Sequence, residues 1–129
     1  MYRGPLSALG DRFYLAPASA DAAFFEEGVP IQPGFMADAD YTRIRVQGNV
    51  PVNGVTGAGL RLRIFLNDDG IVAAPIATDV TLAGQTGSFI WLDAAVTITE
   101  GNVVNVCLDR DAGGAFGNVE TWLTVRMSS

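Results

Sequence analysis

Leu60, Leu62, Ile64 and Leu66 alternate with Arg61, Arg63 and Asn67, and the run ends in Asn67-Asp68-Asp69-Gly70. Successive side chains on a strand point to opposite faces, so the pattern predicts a half-buried strand closed by a turn. The alternation recurs. Thr42, Ile44 and Val46 alternate with Tyr41, Arg43, Arg45 and Gln47; Val104, Val106 and Leu108 share a face within Val103 to Asp109. In the last segment Thr121, Leu123, Val125 and Met127 oppose Glu120, Trp122, Thr124 and Arg126. Weaker strands are expected at Ile71 to Ala77, where Pro75 marks an edge or bulge, and at Val80-Thr81-Leu82, Ser88 to Leu92 and Val96-Thr97-Ile98. Asn53-Gly54, Gly57-Ala58-Gly59, Gly84-Gln85-Thr86-Gly87 and Glu100-Gly101-Asn102 supply turns. About eight strands at short spacing, without the helical crossovers a parallel sheet needs, predict an all-β fold. Its class is an antiparallel two-sheet sandwich of the jelly-roll kind.

Two strands break the pattern. In Ser88-Phe89-Ile90-Trp91-Leu92, strict alternation puts Ile90 and Leu92 on one face and Phe89 and Trp91 on the other. Phe65 sits on the otherwise polar face of its strand. A strand that is apolar on both sides must be covered on both. The cover is either a sister subunit or the chain's own N-terminal segment. The first alternative makes Phe65, Phe89, Trp91 and Trp122 candidates for subunit contacts.

Residues 1–36 read differently from residues 37–129. Prolines at 5, 17, 30 and 33 argue against a long element, so this stretch is expected to be an extended arm with short strands, preceding the sandwich domain. Its Tyr2, Phe13, Tyr14, Phe24 and Phe25 would be costly to leave in water, so they are candidates for anchoring the arm on a surface, either its own domain's or a neighbour's.

Composition narrows the function. The 129 residues carry net charge −6, with eight arginines, no lysine and no histidine. That balance lacks the basic footprint of nucleic-acid binding; arginines 43, 45, 61 and 63 could form a patch that Asp68, Asp69 and Asp79 would neutralise. Without histidine or lysine the commonest general base, metal ligand and Schiff-base former are missing. Cys107 is the single cysteine and cannot pair within the chain, which fits assembly in a cytosol. No signal peptide or membrane-length apolar run is visible. At 13.6 kDa the chain is one domain, yet 49% hydrophobic residues and a mean hydropathy of +0.27 are high, which favours oligomers.

Asp40-Tyr41-Thr42-Arg43-Ile44-Arg45-Val46-Gln47-Gly48, Leu60 to Asn67, Ser88 to Leu92, Val96 to Leu108 and the closing Val119 to Met127 strand together carry a resemblance. They resemble the trimeric jelly rolls of the tumour necrosis factor and complement globular-head type, over about 90 of the 129 residues. Asn102 stands where that family's hairpin usually has Asp. With no collagen-like stalk and no glycosylation sequon, the chain is most similar to phage members of the group, head-decoration or fibre proteins. The resemblance implies a homotrimer located in a virion, assembled in the host cytoplasm. Its partner would be a major capsid or other virion protein, with no nucleic acid, membrane, cofactor or metal.

Candidate chemistry is sparse. Asn67-Asp68-Asp69-Gly70 offers oxygens to Ca²⁺, but the same residues are ordinary hairpin vocabulary. Asp109-Arg110-Asp111 offers two carboxylates with Arg110 placed to bridge them. Glu26 with Glu27, or Asp93 with Glu100, would need a cleft at a defined separation to hydrolyse a glycoside. Gly54 to Gly59 lacks the Lys-Ser/Thr and helix of a phosphate loop. Trp91, Trp122, Phe116 and the tyrosines could stack on sugars or pack in the protein. The expected protein is therefore a non-enzymatic virion component, with a receptor- or glycan-binding tip as the alternative.

Overall fold

A computed structural model describes residues 2–5, 12–15, 23–24, 26–71, 74–111, 113, 115 and 117–129, with the backbone alone for 2–5 and 23–24. The strands are β1 (Tyr2–Pro5), β2 (Phe13–Leu15), β3 (Ala23–Phe24), β4 (Phe35–Met36), β5 (Tyr41–Asn53), β6 (Leu60–Leu66), β7 (Ala77–Val80), β8 (Gly87–Ile98), β9 (Val103–Arg110) and β10 (Asn118–Ser128). One sheet runs β1-β10-β5-β8 and the other β3-β2-β9-β6-β7, with β4 also paired to β9. Among the described residues every strand pairing is antiparallel. From β5 onward the chain passes first sheet, second, second, first, second, first. That wrapping makes an all-β two-sheet sandwich with a jelly-roll-like architecture, as the alternation predicts. The strands beyond the expected eight include β3 and β4, of two residues each.

The core lies where the period-two pattern places it. Ile44, Val46 and Val50 of β5 and Val119 of β10 face Leu60, Leu62 and Ile64 of β6 and Val104, Val106 and Leu108 of β9. Asn67 and Gly70 take φ of 49° and 79°, the left-handed backbone that Asn and Gly tolerate best, and so close the turn after β6.

Three local expectations change. The strands expected around Ser88–Leu92 and Val96–Ile98 are one strand, β8. Val46 pairs with Leu92 and Gln47 with Ile90, so Trp91 is the extra residue of a β-bulge. The bulge shifts the phase, so Trp91 and Leu92 are both buried while Ile90 remains 53% exposed. β7 covers Ala77–Val80, rather than 71–77 or 80–82. β1 to β4, all within residues 1–36, are strands of the two sheets themselves. β1 borders β10, while β2 and β4 take the edge of β9 opposite β6. Phe13 and Leu15 thereby enter the core.

Candidate functional site

The two sheets turn very different faces outward. On the second, Tyr14 of β2 lies beside Cys107 of β9, which lies beside Arg63 of β6; Phe65 pairs with Asn105 and Arg61 with Asp109. Tyr14, Phe65 and Cys107 form a small apolar cluster, each fully buried. Cations cover it. The Arg12 and Arg63 guanidinium carbons lie 4.9 Å and 5.4 Å from the Phe65 ring centroid, within cation–π range.

Buried carboxylates hold those cations. Asp109 accepts from Arg61 Nε at 2.6 Å and Arg61 Nη2 at 3.0 Å, and also from Arg63 Nη2. Asp68 accepts from the Tyr14 hydroxyl, from Arg12 Nη1 at 3.2 Å and from the Gly70 amide at 2.9 Å. Residues 26–34 lie alongside. Gly28 and Gln32 amides donate to the carbonyls of Asp69 and Asp68, while the Asn105 side chain donates to Gln32 and Pro33 carbonyls. This face is occupied by its own partners.

The cluster leaves a pH signature. Burial, then the hydrogen bond donated to Asp68, pushes the Tyr14 phenol well above its usual range; burial pushes the Cys107 thiol up to about 12. The unfolded chain loses these protons near pH ~10 and ~8.5 respectively. Raised folded values stabilise fully below the unfolded ones, and that contribution is lost as pH rises through the folded ones. The urea midpoint is therefore expected to fall above about pH 9, and less steeply in Tyr14→Phe and Cys107→Ala. Equal slopes in all three proteins would contradict the assignment.

The first sheet's outward face is open. Gln47, Asn49, Ser88, Ile90, Trp122 and Thr124 line a groove of about 470 Å³, and Trp122 is 56% exposed. The register brings them together: Gln47 pairs with Ile90 and Thr124, and Asn49 with Ser88 and Trp122. Toward the other end of the same strands, Arg43, Arg45, Arg126 and Ser128 line a recess of about 220 Å³. Asp93 accepts from Arg43 at 2.7 Å and from Arg45 at 2.8 Å, bonds that hold its carboxyl below the usual range.

Among the expected subunit-contact residues, Phe65 and Trp91 are buried within the chain, Phe89 is half-buried against the core, and Trp122 is exposed. Phe65 is covered by Arg12 and Tyr14 of the N-terminal segment, one of the two alternatives its position allows. Of the expected anchoring residues, Phe13 and Tyr14 are buried in this chain's own layers. The Tyr2 and Phe24 side chains, Phe25 and Phe116 lie outside the described residues.

The arginines do not form one patch. Arg43 and Arg45 lie on the first sheet with Asp93; Arg61 and Arg63 lie on the second with Asp109, not with Asp68, Asp69 or Asp79. Asp109 likewise pairs across strands and not with Arg110. Asp68 is fully buried in hydrogen bonds, and Asp69 caps Ile71. Among the described residues no group of three or more His, Cys, Asp or Glu is arranged to hold a metal. Gly54 to Gly59 is a connector, with Val55 buried and Thr56 bridged to Ala115. Of the groove residues, Trp122 is signalled by the alternation of its own strand, while Gln47, Asn49 and Ser88 are brought to it by the strand register. Comparisons with family models, curated proteins and solved structures find no match.

Proposed function

We propose that this chain is a non-enzymatic structural protein of a virion, a capsid-decoration (cement) protein that works as a homotrimer. The observation that carries the reading is an apolar rim. β7 ends the second sheet, paired among the described residues only with β6; Val80, its last residue, and Leu82 just beyond it are 39% and 77% exposed. An open edge flanked by apolar side chains is a template for another chain. Such an edge meeting a different surface of a second copy closes into a ring when the rotation allows, and a ring multiplies weak contacts with a shell. Attachment to a major capsid or other virion protein through residues 1–36 then falls to Tyr2, Phe24 and Phe25, since Phe13 and Tyr14 are buried inside the chain.

The solution mass at micromolar concentration is expected near three times 13.6 kDa, with Leu82→Glu reducing it to one copy. A one-copy mass for the unaltered protein would overturn the trimer.

A second reading, a receptor- or glycan-binding fibre or tail tip, is favoured by one observation. Trp122 stands exposed in a groove where the amide and hydroxyl side chains of Gln47, Asn49, Ser88 and Thr124 surround it together with Ile90 and Phe89.

A further inference from the structure

We propose that the outward face of the first sheet binds an acidic oligosaccharide, a short glycan carrying carboxylate or sulfate groups, along β5 and β10. The proposal rests on the glycan-binding reading and deepens it by naming the ligand's charge and the strip it occupies.

The groove half of the strip suits a polyol. Gln47 and Asn49 each present both a carbonyl acceptor and an amide donor, and Ser88 and Thr124 each present a hydroxyl that does both. Sugar hydroxyls are matched to such groups, and the apolar face of a pyranose is matched to an exposed indole such as Trp122. Ile90, 53% exposed, and Phe89 line the groove as well and add apolar area beside Trp122. Three hydrogen-bonded strands fix the backbone beneath these side chains, so a ligand has only their rotamers to order.

The other half supplies the charge. Three guanidinium groups (Arg43, Arg45, Arg126) face one carboxylate, Asp93, which leaves an excess of two positive charges on a chain of net charge −6. Asp93 bonds to Arg43 and Arg45 and fixes their forks, while no ion pair with a described residue engages Arg126. Guanidinium forks match carboxylate and sulfate oxygens two at a time. Trp122 and Arg126 are four residues apart on one face of β10, about 13 Å at ~3.3 Å per residue. A single sugar does not span that length; a short oligomer does.

The test is a titration followed by tryptophan fluorescence, in which Trp122 responds because Trp91 is 97% shielded, its exposure being only 3%. The probes are tetragalacturonate, a heparin-derived tetrasaccharide, neutral maltotetraose and a short oligothymidylate. One or both acidic sugars are expected to bind at least about tenfold more tightly than maltotetraose, with affinity falling as salt rises. Trp122→Ala and Arg126→Ala, both exposed positions, are expected to lose that binding at least about tenfold while keeping the thermal midpoint and the solution mass. Carboxylate and sulfate sources are separated by which acidic probe binds. Equal affinity for maltotetraose, untouched by Arg126→Ala, overturns the acidic strip and leaves the glycan reading standing. Failure of every sugar overturns both. Preference for the oligothymidylate, or a fall in mass with Trp122→Ala, overturns the proposal in favour of a nucleic acid or a second copy on this face.

Discussion

Asp109→Ala is expected to destabilise the fold by about 3–5 kcal/mol, the usual loss when one partner of a buried ion pair is removed. The carboxylate is fully shielded, whereas its partners Arg61 and Arg63 keep 22% and 13% of their side-chain surface. Removing Asp109 leaves Arg63, which lies over the Phe65 ring, without its carboxylate, and leaves Arg61 only Asp111 at 4.0 Å. Arg63 already carries one cost of this kind, since its Nε is buried without a hydrogen-bond partner among the described residues. With urea slopes of about 1–3 kcal/mol per molar, the midpoint should drop on the order of 2 M. Arg61→Ala should cost less, because Asp109 keeps Arg63 and the lost side chain was partly solvated. A midpoint shift for Asp109→Ala no larger than that of an exposed pair, about 0–1 kcal/mol, would show that water already fills the cluster.

The same cluster marks where the sequence stops being readable. β6 and β9 announce themselves, because Leu60, Leu62 and Ile64, and Val104, Val106 and Leu108, keep strict period two and one face of each goes inward. Asp68 reads as a solvated turn residue from its neighbours Asn67, Asp69 and Gly70. It is fully buried because Tyr14 and Arg12, 54 and 56 residues away in sequence, donate to it. No local pattern encodes a partner at that separation. The groove was half legible. Trp122 stands on the polar side of an alternating strand, but Gln47, Asn49 and Ser88 join it only through a register that bulges reset. Between Glu120 and Trp122 the β5–β10 pairing skips a residue, and Val50 and Pro51 of β5 lie across from Thr121. That irregularity is also what lets a proline sit in a long strand without breaking a ladder bond.

The second large effect tests the bulge in β8. Phe89-Ile90-Trp91-Leu92 is apolar throughout, so hydrophobicity offers no phase to follow, and unbroken alternation would have placed Trp91 opposite Leu92. The bulge buries both, with the Phe89 and Trp91 rings 5.8 Å apart between centroids and Trp91 lying over Gly48, where a β-carbon would stand 3.1 Å from the indole Cε3. The strand glycine thus makes the room the indole fills. Trp91→Ala should therefore cost about 3–5 kcal/mol, the range for emptying a buried aromatic site. Trp91→Phe is expected to keep most of that stability, for a specific reason. The indole Nε1 is buried with no hydrogen-bond partner among the described residues, and an unpaired buried donor costs about 1–3 kcal/mol. Phenylalanine loses packing but also removes that donor. Chemical denaturation of the two variants separates the terms: a Trp91→Phe loss as large as that of alanine would mean the N–H is bonded after all. A small loss for alanine would mean that Trp91 is not in the core, and that β8 runs without its bulge.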